Sequence, residues 1–347
     1  LHAEGYDIIY LDFWNSTDDM RRNAMLLVEL INRVNANKVG NEEIVVVGAS
    51  MGGQIARYAL TYMEHHDMPH CVRLNVSFDS PWNGANIPLG IQTFLEYMSV
   101  SANNAGAQHQ WNQLNKTSPK QLLNHHYSAA WPYSSQNNGV RTTQLPPGTE
   151  FMRAPEFAIF QNDVIALGDY PKRVRNVAIL NGSASNSGSN NNFINPGNKY
   201  LVHTQNCNGF PLHVEIISND NGFVGKYDVF GPPRREYKIQ NFTYWDGRKG
   251  GIRNKDFNRI AKDLQDGIFY GSVFGTCTPD IDPLRREFCF IPSISALAVS
   301  TNNPSYDIEN HIKKIGSGFS NQTFFEAFYS PPINSENQTH VRATNGN

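Results

Sequence analysis

Ser50 lies in Gly48-Ala49-Ser50-Met51-Gly52, a G-x-S-x-G sequence. Small residues recur by chance, so the pattern alone says little. Here it follows the apolar run Glu43–Val47 and opens a stretch of helical periodicity. In that setting the turn exposes a serine hydroxyl at the carboxyl end of a sheet. Small residues at 48 and 52 let the backbone fold back sharply. The N–H of Met51, at the helix start, is then available to stabilise an oxyanion. The chemistry would be nucleophilic attack on a carbonyl; the competing reading is a strand–helix turn kept small only for close packing. A serine hydroxyl is a poor nucleophile until a base takes its proton, so a histidine must lie nearby in space.

The elements that must position these groups follow from hydrophobic periodicity. Tyr6–Phe13 reads as a buried strand. Residues 15–19 supply an N-cap and acidic first turn. Ala24, Leu27, Val28, Ile31 and Val34 then recur at helical spacing, predicting a helix over residues 18–37 that ends near Gly40. Glu43–Val47 reads as a strand covered on both faces. The next helix turns Ile55, Ala59, Tyr62 and Met63 inward, and Val72–Phe78 is a third strand. This β-α-β-α-β order predicts an α/β protein with a doubly wound, mostly parallel sheet.

From Trp82 to about Tyr170 the pattern weakens. Helical stretches at Gln92–Val100 and Lys120–His126, broken by prolines, predict a helical cap or lid over 91–170. Arg173–Leu180 restores the sheet, so 1–90 and 171–347 are expected to form the core. Residues 183–192 are a low-complexity Asn/Ser/Gly run. His213–Ser218 and Arg235–Thr243 read as further strands, and 255–266 as a helix.

The string VVVGASMGGQIARYAL (45–60), followed by SFDSPWNGANIP (77–88), resembles the elbow, helix and next strand of α/β-hydrolase lipases and esterases. It is also similar to a group of exported Bacteroidetes serine hydrolases. The strong likeness covers residues 5–90; a weaker one covers FCFIPSISAL (288–297) and Asn337–Arg342. The resemblance implies a Ser–His–acid triad cleaving carboxylic esters through an acyl-enzyme, under a lid, without cofactor or metal. Family order places the histidine after the last strand, which selects His340 from the 11 histidines. His311, in a solvated helix or turn, is the runner-up. His65, His66, His70, His109, His125 and His126 read as surface or lid residues, and His203 and His213 precede too much sheet.

The acid is expected at Asp79, a placement resembling that of pancreatic-type lipases, because Asn181-Gly182-Ser183 offers no carboxylate. Asp79 could instead only brace the Ser80-Pro81 turn; Asp246, Asp220 and Asp307 remain alternatives. Family members carry a second oxyanion donor on a His-Gly-type loop, and a strand between the two that Tyr6–Phe13 and Glu43–Val47 would form. Neither motif is found in this sequence. The expectation is therefore a parent chain with upstream residues, more stable and more active than this one; a lost oxyanion donor alone costs about 10²–10³ in rate.

Composition narrows the partners. Lys+Arg 29 against Asp+Glu 31 gives a net charge of −2, so no basic face for nucleic acid is implied. No apolar run approaches the ~20 residues that span a bilayer. A surface rich in Asn, Ser, Gly and Thr suits an exported protein. The Cys 4 lack a C-x-x-C pair, which argues against zinc. A Cys277–Cys289 bridge would close a loop of about a dozen residues, worth roughly 3 kcal/mol; reduced packing cysteines are the plainer alternative. The pairs His65-His66 and His125-His126 are expected on solvated faces rather than at a metal. Cap residues Phe94, Leu95, Tyr97, Met98, Trp111 and Trp131 suit an apolar acyl group or simply pack the cap. The expected partner is thus a small-molecule or lipid ester. A hydrolase-fold binding protein without turnover, and an acyltransferase using the same triad, are the alternatives.

Overall fold

A computed structural model describes residues 2–101, 103–146, 152–181, 197–207, 210–218, 222–229, 234–240, 246, 250–253, 288–299, 327–329 and 340–345. The first helix, α1 (Met20–Asn37), starts where the Asp19 carboxylate accepts the Arg21 N–H, and Met20, Ala24, Val28 and Ile31 form its buried stripe. It leads into β1 (Ile44–Ala49), α2 (Met51–His65) and β2 (Val72–Phe78), close to the boundaries that periodicity sets. The main sheet adds β5 (Arg175–Asn181), β12 (Ala327–Tyr329) and β13 (His340–Asn345) in the order β1-β2-β5-β13-β12. β1, β2 and β5 run parallel, whereas β13 and β12 pair antiparallel.

The expected strand at Tyr6–Phe13 does not form, and β1 is the edge of the sheet. Tyr6, Ile8, Ile9 and Tyr10 are exposed. A strand takes its backbone partners from a neighbour, and none of the described strands flanks β1 on that side. The same fact corrects the two-sided burial expected of β1. Val46 and Gly48 are buried on the α2 side, while Val47 on the other face is 65% exposed.

The stretch 91–170 contains α3 (Leu89–Glu96), a π turn (Tyr97–Ser101), α4 (Ala105–Leu114), α5 (Thr117–Leu122), a 3₁₀ helix (Tyr127–Tyr133) and α6 (Pro155–Leu167). It also contains the hairpin β3 (Ser134–Asn137) and β4 (Val140–Gln144), which periodicity misses because both strands are short and polar. The hairpin joins β6 (Lys199–Cys207), β7 (Phe210–Ile217), β8 (Phe223–Val229) and β9 (Arg235–Gln240) in a six-stranded sheet ordered β3-β4-β9-β8-β7-β6. This second sheet therefore draws strands from both sides of residue 170. Helix α6 packs elsewhere: its Phe160 and Val164 share the cluster of α1, α2 and β1.

The other cluster lies between α3, α4 and the second sheet. Phe94, Tyr97, Met98 and Trp111 are buried within it, with Phe94 and Tyr97 rings each 5.3 Å from that of Tyr227. Of the two roles open to these aromatics, packing is the one the structure shows. Two short elements complete the description: β10 (Gly250–Arg253), antiparallel to β11 (Phe288–Pro292), and α7 (Ser293–Ala296). The predicted helix at 255–266 and the run 183–192 lie outside the described residues. No helix among the described residues is long and apolar enough to cross a membrane.

The expectation of a solvated His125-His126 pair is overturned, since both are buried. His126 Nε2 donates to Leu114 O at 2.9 Å, while its Nδ1 accepts from the Ser128 hydroxyl at 2.7 Å. His125 Nδ1 accepts the Met152 N–H at 3.1 Å. Leu114 O and Met152 N–H, the backbone partners that help make such burial tolerable, are not revealed by sequence spacing. Burial holds the His126 pKa below its ordinary value of 6.5. The unfolded chain then takes up a proton that the folded one refuses, so stability is full above pH 6.5 and falls below it, by at most about 1.4 kcal/mol per pH unit. Urea midpoints at pH 7.5 and 5.5 should differ more in the wild type than in His126→Asn; equal differences would contradict this.

Candidate active site

Ser50 joins β1 to α2 with φ 51 and ψ −122, a left-handed conformation that costs an L-residue about 1–3 kcal/mol. The turn is held from both sides: Ser50 N–H donates to Phe78 O at 2.8 Å, and Gly53 N–H to Ser50 O at 3.1 Å. Ser50 itself is exposed, so the strained residue presents its hydroxyl to solvent. Met51 heads α2, where the first N–H groups have no acceptor within the helix.

The glycines explain how the turn closes. A Cβ on Gly48 would lie 2.4 Å from Gly52 O and 2.6 Å from Gly53 N, both backbone atoms. One on Gly53 would meet Ser80 Cβ at 2.6 Å. Gly52 has nothing within 4 Å, which corrects the expectation that 48 and 52 are the positions kept small. Close packing is required at 48 and 53.

Asp79 follows β2 directly, with φ 48, a conformation aspartate tolerates better than most residues. Its N–H donates to Ile179 O at 2.6 Å, which carries the pairing of β2 and β5 one step past the strand. Because Ala49 pairs with Phe78, Ser50 and Asp79 leave adjacent strands at the same end of the sheet. The buried Ser80 hydroxyl donates to Gly48 O at 3.3 Å. Gln54 Nε2 donates to Pro81 O at 2.5 Å, and the buried Arg57 guanidinium lies 4.8 Å from the Trp82 ring centre while pairing with Asp169. Gln54 and Arg57 of α2 thus fasten the Asp79 loop to the Ser50 turn. Sequence reading missed Gln54, Arg57, Ser80 and Trp82; the signal lay in their clustering within the two strings that flank the site.

His340 does not follow the last strand, as family order led one to expect, but opens it: it begins β13, where its backbone pairs with Asn181, the last residue of β5. This places it at the same end of the sheet as Ser50 and Asp79, with the order β1-β2-β5-β13 separating it from β1. At strand spacings of 4.7–4.9 Å the lateral backbone offset is about 14 Å. The structure thus brings Ser50 and Asp79 together and leaves His340 on the same edge, two strands beyond β2. Other described histidines are placed less well. His65 and His66 end α2, roughly 22 Å from Ser50 at the usual helical rise. His70, His125 and His126 are buried with hydrogen-bonded rings, His109 is exposed on α4, and His203 and His213 belong to the second sheet. His311, Asp220 and Asp307 lie outside the described residues, and Asp246 is buried.

No group of three or more His, Cys, Asp or Glu among the described residues could hold a metal. Cys289 is a free, buried thiol; Cys277, the partner considered for it, lies outside the described residues. Burial, and then the nearby Asp79 charge, push the Cys289 thiol pKa up.

Residues 14–154, less than half of the chain, match a family described as a PGAP1-like alpha/beta domain. The match runs from just before α1 through the elbow and the Asp79 loop into the stretch after β4. No curated protein and no solved structure matches the chain. The parallel β1-β2-β5 core, the strained serine between strand and helix, and the likeness over 14–154 together make this an α/β protein with a hydrolase-type fold.

Proposed function

We propose that the chain is a serine hydrolase acting on carboxylic esters through an acyl-enzyme. The observation that carries this reading is Ser50, exposed and strained at the tip of a turn whose neighbours Gly48 and Gly53 admit no side chain. Strain at one solvent-facing serine, kept while the residues around it are tightly packed, is how a fold stores reactivity rather than stability.

In this reading Ser50 Oγ attacks the ester carbonyl and His340 takes its proton, then returns it to the departing alcohol. Asp79 holds the imidazole in the tautomer with its acceptor nitrogen toward Ser50, and Met51 N–H stabilises the oxyanion. Water then repeats the sequence on the acyl-enzyme, which releases the carboxylic acid. Closing this triad takes the imidazole across the end of β5 toward Asp79. An exported protein acting on a small-molecule or lipid ester is consistent with the composition.

The test is a chromogenic ester assay read before and during steady state. An initial burst of alcohol, at most one per active site, followed by slower turnover is expected if the acyl-enzyme accumulates. His340→Ala should lower turnover by about 10⁶. Full activity in that variant would remove His340 from the mechanism.

A further inference from the structure

The loop after Asp79 is gripped along its whole length by residues far away in sequence. On one side, Ala85 N–H donates to Leu122 O at 2.8 Å and Asn124 N–H to Ala85 O at 3.0 Å, forming a short parallel bridge with the end of α5. On the other side lies the segment 289–299, which covers the end of β11, α7 and the turn after it. Asn86 N–H donates to Phe290 O at 2.7 Å, and Asn86 Nδ2 to Cys289 O at 3.3 Å. The Ser295 hydroxyl accepts Asn83 N–H at 3.0 Å and donates to Gly84 O at 2.7 Å. Asn83 Nδ2 donates to Val299 O at 2.9 Å.

Ser295 therefore satisfies a donor and an acceptor of the loop with one hydroxyl, and it is fully buried. The loop has no room to shift in compensation. Gly84 adopts φ +103, and a Cβ there would lie 2.6 Å from the Asn124 side chain.

We infer that 289–299 is a strap that aims the Asp79 carboxylate, and that Ser295 is a positioning residue acting through Asn83 and Gly84. This inference rests on the triad reading and deepens it. Burying the loop already requires partners for its backbone N–H and C=O groups, and Ser295 supplies two of them. A hydroxyl spanning consecutive loop residues fixes direction, which a residue orienting an imidazole requires.

The experiment measures kcat, KM and the pH dependence of kcat/KM for ester hydrolysis in wild type, Asp79→Asn, Ser295→Ala and Asn83→Ala. Loss of the carboxylate beside the imidazolium lowers the histidine pKa, so Asp79→Asn moves the acid limb to lower pH. Ser295→Ala is expected to lower kcat by roughly 10- to 100-fold with little change in KM. It should also move the acid limb in the same direction as Asp79→Asn. Asn83→Ala removes only the bond to Val299 and should show the same signature at smaller size; it serves where Ser295→Ala does not fold. Unchanged kcat and acid limb in folded variants of an active wild type would overturn the strap alone. A wild type with no turnover would overturn the triad reading, and the strap with it.

Discussion

Replacing Ser50 by alanine is expected to leave the fold intact and to lower ester turnover by about 10⁴–10⁶, the loss seen when a triad nucleophile is removed. The side chain is exposed and makes no hydrogen bond among the described residues, whereas the turn itself is held by the backbone bonds to Phe78 and Gly53. Ser50→Gly should go further. Glycine enters the φ 51 conformation without penalty, so this variant should be more stable than wild type by about 1 kcal/mol while equally inactive. Stability gained together with activity lost, at one position, identifies strain kept for function. Urea unfolding and ester turnover on the same preparations check both halves; a Ser50→Gly protein less stable than wild type would mean the turn is not strained.

The second large effect belongs to Gly48. Its alanine variant places a Cβ 2.4 Å from Gly52 O, and neither atom sits on a flexible side chain. The elbow has to open, at a cost of about 1–3 kcal/mol for overpacking. Ser50 and the Met51 amide are displaced with it, so turnover should fall about 100-fold even in the protein that remains folded. Gly52→Ala is the control. Its Cβ meets open space inside α2, and replacing a helical glycine should stabilise by roughly 0.5–1 kcal/mol. Thermal unfolding of the two variants should therefore move in opposite directions. A Gly48→Ala protein as stable and active as wild type would show that the turn does not need the close approach.

What could be read from sequence was whatever is fixed locally. The stripe of α1, its cap at Asp19, the run of β2 and the strand–turn–helix around Ser50 are each set by spacing within a few residues, although α1 starts at Met20 and so has no acid in its first turn. The turn glycines were legible as a group but not individually, because which of 48, 52 and 53 is crowded depends on how α2 doubles back over β1. The errors share one cause. Tyr6–Phe13 has strand composition but no neighbour to pair with among the described strands, and β3 and β4 lack strand composition but acquire one in β9. Pairing is a tertiary property, and it overrides local preference. His125 and His126 are buried for the same kind of reason, through bonds to Leu114 and Met152 that no spacing rule connects.

The site divides along the same line. Ser50 and Asp79 follow consecutive parallel strands, so their adjacency is implied once the β-α-β unit is recognised. The hold of Ser295 on Asn83 and Gly84 spans about two hundred residues and was not legible. His340 stands between these cases. Its order in the chain suggested the role, and the antiparallel pairing of β13 with β5 brings its backbone to the working edge.

The central claim is that one oxygen in this chain is a base-activated nucleophile, and labelling with a fluorophosphonate followed by peptide mass mapping tests it most directly. A single adduct on Ser50 is predicted, absent in Ser50→Ala and slowed by several orders of magnitude in His340→Ala. A folded wild-type protein that takes no label, or takes it on another residue, would contradict the account.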